Sequence, residues 1–300
     1  MGQVADVIKI VVLFILGHLF VFNFIFAVII VFFQRKEPKS VWAWLLLLYF
    51  IPILGFLFYL LAGADTYKRR MFRIKEVEGY LSDQVRREEV RLKSLEATKD
   101  LQGIAGYTDL VLYNLETSGA MLATDNDIDF FTDGNAKFDA LIDDMEQASH
   151  FIHIQYYIIR NDVLFKRIVE VLRRKVAQGV EVRLLFDGMG CRKINHHFWK
   201  KLRKDGILVA EFFPAFMRRL HLRINYRNHR KIVVVDNRVA YVGGFNIGKE
   251  YIGLDRKFGY WRDTHLRVCG SAILGLQLRF ILDWNYVTRE NLFTVEKYFN

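Results

Sequence analysis

Asn228-His229-Arg230-Lys231 is followed by four apolar residues, Ile232 to Val235, then by Asp236, and after six intervening residues by Gly243-Gly244-Phe245-Asn246. As a pattern this is H-x-K, four residues, D, six residues, G-G-x-N. An imidazole two residues from an ammonium group can attack a phosphodiester while the cation holds its charged oxygens, provided both point the same way. A strand supplies that arrangement, because side chains two apart share a face. The β-branched run Ile232–Val235 predicts such a strand, buried, with His229 and Lys231 at its start. Asp236 ends it, Asn237-Arg238 can turn, and Val239–Val242 can return antiparallel. Gly243 and Gly244 then let backbone come close to a ligand, with Asn246 beside them as an amide donor. Asn228, Gly243 and Gly244 are thus candidate substrate-binding positions. A basic edge strand with a loose glycine turn would account for a lone His-x-Lys, but not for six specified positions in one spacing.

The stretch resembles the HKD signature of the phospholipase D superfamily. Its surroundings resemble a bacterial cardiolipin synthase: Gly243-Gly244-Phe245-Asn246-Ile247-Gly248, then Glu250-Tyr251, then Phe258-Gly-Tyr-Trp-Arg-Asp-Thr-His265. The resemblance implies a mixed sheet between helices and an active site where two HKD motifs meet. One histidine forms a phosphohistidine, while the other protonates the leaving alcohol and deprotonates the incoming one. No metal or other cofactor is implied. Carried onto this chain, His229 is the nucleophile or its acid/base partner, and Lys231 and Asn246 stabilise the pentacoordinate transition state. Asp236 completes the motif and is expected to hold strand and turn geometry rather than touch phosphorus. A histidine nucleophile needs an acceptor on its other ring nitrogen. Asp263 is the candidate the resemblance offers, and Glu250 is its rival.

The implied reaction moves a phosphatidyl group between two phosphatidylglycerol molecules, giving cardiolipin and glycerol. Two alternatives share the motif. One is a membrane-tethered phospholipase D or nuclease using water; the other is an inactive half that binds anionic lipid or pairs with a complete synthase. The sequence holds one H-x-K–D pattern: His153-Ile154-Gln155 lacks the lysine, and His196-His197 lacks a following aspartate and glycine pair. The resemblance spans only the first half or more of the family's length. A fragment is therefore expected, with a second HKD half supplied by a further region or by another chain.

The elements that must position these residues begin with a membrane anchor. Val11–Phe33 is apolar for 23 residues apart from His18 and Asn23, about 35 Å of helix and enough to cross a bilayer. His18 and Asn23 are expected to bond to a neighbouring helix. Trp42–Ala62 is a second apolar run, with aromatic residues toward both ends and Pro52 and Gly55 as expected kinks. Its start and end, Trp42-Ala-Trp-Leu and Leu60-Leu-Ala-Gly63, and the preceding Arg35-Lys-Glu-Pro-Lys-Ser resemble the N-terminal membrane domain of cardiolipin synthases. Lys68, Arg69, Arg70, Arg73 and Lys75 follow the second run, which puts both termini on the cytoplasmic side of a bacterial plasma membrane. The formal charge of +10 calls for an anionic partner, nucleic acid or membrane. The anchor argues against nucleic acid.

Residues 1–66 thus read as a two-helix transmembrane anchor, 67–100 as a charged juxtamembrane linker with an exposed helix at Ser82–Asp100, and 101–300 as a catalytic half. The fold class expected is α/β, a transmembrane hairpin followed by a phospholipase D-like mixed sheet flanked by helices. Strands are expected at Ile128–Thr132, Phe151–Ile159, Val180–Phe186, Ile207–Phe213 and Trp261–Val268, besides the two of the motif. Helices are expected around Phe138–Met145 and at Val163–Ala177, His196–Lys204 and Ala272–Tyr286. Phe216, Met217 and the arginines from Arg218 to Arg227 form a basic run that could rest on an anionic bilayer or pack on its own domain. Cys191 and Cys269 fit no metal spacing and read as free thiols in a reducing compartment. The residues after Tyr286 have no evident partner.

Overall fold

Lys231–Val235 (β5) is buried at every position, as its apolar run requires, and it lies at the centre of a seven-stranded sheet. The other strands are β1 (Asp127–Phe131), β2 (Phe151–Tyr156), β3 (Glu181–Asp187), β4 (Leu208–Phe212), β6 (Val239–Gly243) and β7 (His265–Cys269). Their spatial order is β1-β7-β6-β5-β2-β3-β4. β2, β3 and β4 run parallel, while β5 is antiparallel to both β2 and β6, and β7 to β6 and β1. The structure, a computed structural model, describes residues 2–33, 38–59, 105–118, 120, 122–212 and 228–299. The chain divides into two units, residues 1–74 and 75–300, the second beginning its described helices with α4 (Thr108–Ser118).

Alternation along the strands assigns each face its cover. Val233 and Val235 join Ile152, Ile154 and Tyr156 of β2 in a core with Phe138 and Leu141 of α5 (Gly134–Glu146), Ile168 and Leu172 of α6 (Val163–Ala177), and Trp199 and Leu202 of α7 (His196–Lys204). Ile232 and Val234 face the other way, against Phe280, Ile281 and Trp284 of α8 (Ala272–Thr288). Each fully buried side chain of this size contributes about 1.5–3 kcal/mol. Asp162 caps α6, accepting from Leu164 N (3.0 Å) and Phe165 N (3.3 Å), and its other oxygen accepts from Lys249 N (2.6 Å). One carboxylate thereby starts a helix and fixes the segment after the glycine pair.

Two strand ends depart from expectation by three residues or more, and the tail differs as well. β2 ends at Tyr156, and Ile159 instead makes an isolated bridge to Ile247. β7 begins at His265 rather than Trp261: Thr264 O still accepts from Gly244 N (2.8 Å), but Thr264 N turns to the Asp263 carboxylate (2.7 Å) and not to a neighbouring strand. The segment after α8 is packed, not free. Leu292 and Tyr298 are buried, Tyr298 O–H donates to Glu181, and Asn237 Nδ2 donates to Tyr298 O (2.9 Å). Both cysteines are free thiols.

In the N-terminal unit, α1 (Gly2–Val28) continues into a π-helical turn at Ile29–Phe33, followed by α2 (Pro38–Phe50) and α3 (Pro52–Phe58). Among the described residues no helix is long and apolar enough to cross a membrane, so the expected pair of spans rests on the sequence alone. The second apolar run is broken at Ile51, before Pro52, where the proline ring cannot donate to the helix ladder. Asn23 does bond to the neighbouring helices, its amide donating to Leu48 O (3.3 Å) and Pro52 O (3.2 Å). His18 does not; its ring nitrogen meets Phe14 O (2.8 Å) one turn back in its own helix. The turn at 34–37, the linker helix, the basic residues after Ala62 and the run from Phe216 to Arg227 lie outside the described residues.

Candidate active site

The site forms where β5 begins. Lys231 is the first residue of β5 and is 3% exposed, whereas His229, two residues earlier, is exposed. Lys231 Nζ donates to His229 O (2.9 Å) and lies 3.2 Å from each nitrogen of the His229 ring. The expected pairing of imidazole and ammonium is thus present. Tyr157 packs on the pair, 4.6 Å from the His229 ring centroid and 5.4 Å from Lys231 Nζ. Burial pushes the Lys231 ammonium down to about 8, against the opposing pull of Asp263. Burial and the Lys231 charge also hold the His229 imidazole below its usual range, with Asp187 acting the other way. A neutral imidazole beside a cation is the state a nucleophile toward phosphorus requires.

Asn246 is buried and committed on both sides. Its Oδ1 accepts from Ile158 N (3.0 Å), and its Nδ2 donates to Tyr251 O–H (2.9 Å), which leaves one amide hydrogen for a ligand. The two glycines serve a close approach within the chain. A Cβ on Gly244 would fall 1.9 Å from Asp263 Oδ1, and one on Gly243 would fall 2.5 Å from His265 Cα. The pair therefore lets β7 and the Asp263 carboxylate press against the site.

Neither proposed orienting carboxylate hydrogen-bonds to the His229 ring. Asp263 Oδ1 accepts from Thr264 N (2.7 Å), and Glu250 pairs with Arg160 (3.4 Å). Between the two, Asp263 alone acts on Lys231.

Asn228 and Asp236 are both held by bonds within the protein. Asn228 is buried, held by carboxylates on two sides: its N–H donates to Asp187 Oδ2 (3.1 Å) and its Nδ2 to Asp283 Oδ2 (2.9 Å). It anchors the residue before His229. Asp236 lies at the far end of β5, about 17 Å from Lys231 by strand rise. There it accepts from Ser149 N (2.7 Å), His150 N (3.0 Å), Phe151 N (2.6 Å) and Ser149 Oγ (3.2 Å). Its carboxylate thus ties the end of β5 to the start of β2, away from His229 and Lys231.

Four further groups shape the site. Asp187 ends β3 and fixes both Asn228 and its own turn, through Met189 N and Gly190 N (2.9 Å each). Asp283 on α8 accepts from Gln155 (2.7 Å), Asn228 (2.9 Å) and Arg230 (2.9 Å) and pairs with Arg279. Lys137 is fully buried, its Nζ donating to Tyr156 O–H (2.7 Å), and burial holds its pKa well below the usual lysine range. His265 is buried with neither ring nitrogen hydrogen-bonded among the described residues; burial first, then Lys137 and Lys231, push it down to about 2. In the sequence Asp187 is only the residue after the expected strand Val180–Phe186.

Residues 141–258 match the family described as "Cardiolipin synthase, PLD-like domain", and residues 21–63 match "Phospholipase_D-nuclease N-terminal". Cardiolipin synthase 2 of Staphylococcus epidermidis is 44% identical over 293 residues, which is 97% of this chain and 60% of that protein. Cardiolipin synthase of Oceanobacillus iheyensis is 43% identical over 290 residues, 95% of this chain and 59% of the relative. The chain thus spans about three fifths of the curated relatives it matches. Among solved structures, NucT from Helicobacter pylori aligns with a TM-score of 0.44 at 15% identity, over 54% of this chain and 98% of its own, too distant to bear on function. With the pairing of His229 and Lys231 at the head of the central strand and relatives above 40% identity over nearly its whole length, the chain is similar to the cardiolipin synthases, and its residues 141–258 carry their phospholipase D-like domain.

Proposed function

We propose that the chain carries one half of a phosphatidyltransferase that makes cardiolipin from two phosphatidylglycerol molecules. The observation that carries this reading is the Lys231 ammonium held 3.2 Å from both ring nitrogens of His229, in a chain 44% identical to a protein named cardiolipin synthase. A ring nitrogen of His229 attacks phosphorus and the bond to the glycerol leaving group breaks. An acid, supplied by a second HKD half, protonates the departing oxygen. A hydroxyl of the second phosphatidylglycerol gives up its proton to the same group and attacks, and the phosphorus–nitrogen bond breaks. Lys231 and the remaining amide hydrogen of Asn246 stabilise the charge on the equatorial oxygens. Asp263, pressed against Gly244, is the orienting carboxylate once substrate closes the site.

The apolar N-terminal unit serves as a two-helix membrane anchor, with the catalytic domain on the cytoplasmic side of the plasma membrane. Phe14, Phe20, Phe24, Phe32, Tyr49 and Phe50 are all more than half exposed in that unit, which supports contact with lipid. The second HKD half comes from a further region of the protein or from another chain.

The test is conversion of labelled phosphatidylglycerol to cardiolipin in vesicles, by this chain together with a second motif-bearing half. Cardiolipin should form, and His229→Ala should abolish it. An unchanged rate in the His229→Ala protein would remove this motif from the active site.

A further inference from the structure

The loop that joins the short 3₁₀ helix at Lys249–Ile252 to β7 presents large apolar side chains to solvent beside the site. Leu254 is 58% exposed, Phe258 51% and Tyr260 68%. Arg256, Lys257 and Arg262 stand among them, all exposed and none paired with a carboxylate among the described residues. The one acid of the segment from Gly253 to Arg262, Asp255, is engaged by Lys249 Nζ (3.5 Å) and by Lys257 N (3.0 Å). Its charge is therefore spent within the loop, and the cations face outward.

The loop is also tied to the catalytic groups. Phe258 packs edge-on against Trp261 (5.5 Å), Trp261 against Tyr251 (5.2 Å), and the Tyr251 hydroxyl accepts from Asn246 (2.9 Å). Asp263, the residue after Arg262, lies against Gly244. Gly253 and Gly259, at φ 73° and 62°, turn the backbone so that Leu254 and Tyr260 stand outward rather than fold into the core.

We propose that this loop is the face by which the catalytic domain contacts an anionic phospholipid bilayer, with Leu254, Phe258 and Tyr260 inserted among headgroups and Arg256, Lys257 and Arg262 on the phosphates. Apolar side chains interleaved with unpaired cations suit a charged lipid surface. The placement brings the site mouth to the headgroup layer, so a substrate phosphodiester reaches His229 without leaving the bilayer. The inference rests on the reading that the substrate is a bilayer lipid.

The test uses the full chain, with its second half, reconstituted in vesicles. Cys269→Ser removes the half-buried thiol, Cys191 is buried, and single cysteines at Leu254, Phe258 or Tyr260 carry an environment-sensitive fluorophore. In phosphatidylglycerol vesicles the emission should shift to the blue and be quenched by headgroup-proximal spin-labelled lipid. A label at Lys200, exposed on α7, should stay in water. Changing Arg256 and Lys257 to glutamine should weaken insertion by about fivefold for each cation. Three positions guard against one labelled variant failing to fold.

Water-like emission at all three loop sites would overturn the proposal, as would quenching at Lys200 equal to that in the loop. Shielding from both lipid and aqueous quenchers would mean a protein partner and would also overturn it. Transfer activity is read in the same vesicles. Insertion without cardiolipin formation leaves the lipid face standing and sinks the proposed function, whereas activity without insertion sinks the lipid face alone.

Discussion

Replacing Asp283 by alanine should cost about 3 to 5 kcal/mol of stability, the range for breaking a buried ion pair by removing one partner. The carboxylate is 1% exposed and takes hydrogen bonds from Gln155, Asn228 and Arg230 besides its pair with Arg279. Its loss leaves two amides, on residues 1% and 3% exposed, without an acceptor and out of reach of water. Each such orphan costs about 1–3 kcal/mol. The two guanidinium groups matter less, because both reach solvent, at 39% and 30% side-chain exposure, and can rehydrate. Asp283→Asn keeps one acceptor oxygen and should lose only about 1–3 kcal/mol. The assay is thermal unfolding followed through the near-ultraviolet signal of Trp284, buried beside Phe280. For a domain of this size each kcal/mol moves the midpoint by about 2–4 °C, so alanine should lower it by about 6–20 °C. Since Asn228 precedes His229, transfer activity should fall further than the folded fraction accounts for. A melting point within about 2 °C of the parent, or equal losses for alanine and asparagine, would refute this assignment of the energy.

Two other expectations follow from the charges at either end of β5. Activity should be bell-shaped in pH: the rising limb follows His229 losing its proton below its usual range, and the falling limb follows the Lys231 ammonium losing its charge near pH 8. A Lys231→Arg enzyme that keeps activity should lose that falling limb, and an unmoved limb would detach it from Lys231. Burial raises the Asp236 carboxyl, but four donors from Ser149 to Phe151 outweigh it and hold it below the usual range. Its contribution is therefore full above the unfolded value near 3.9 and is lost as pH falls through the lower folded value. Asp236→Asn should cost about 1–3 kcal/mol at pH 7 and flatten the acid limb of stability. Denaturant titrations at pH 7 and at pH 3 check this, and an acid limb as steep as the parent's would contradict it.

Much of the architecture was legible because it is written locally. β5, β6 and α6 match their hydrophobic periods almost to the residue, whereas His229, expected on the strand face of Lys231, lies before β5 and meets Lys231 from outside the strand. Strand order was not legible. β2 lies parallel to β3 on one side and antiparallel to β5 on the other, a choice made by helix cover and not by any single segment. The partners missed at the site are likewise distant in sequence. Asp187 is 41 residues from Asn228 and Asp283 is 55 residues from it, and on α8 Asp283 looks like an ordinary i,i+4 partner of Arg279. Tyr298, in a tail with no periodic signal, is buried by contacts to Glu181 and Asn237 that only the folded sheet creates.

Asp236 separates what a motif records from what a site contains. Its spacing from His229 is as regular as that of Asn246, so pattern alone would group all of them as chemistry. Strand geometry divides them. Four residues of β5 carry Asp236 away from Lys231, whereas the turn and the return of β6 bring Gly243 back beside the head of β5, where Ile232 pairs with Val242. Asp236, at φ 52°, makes that return possible, and its carboxylate ties the turn to the first residues of β2. The motif's aspartate thus acts on the chemistry through register: it fixes β5 against β2 and β6, and that register sets Lys231 opposite Tyr156 and the glycine pair beside β7.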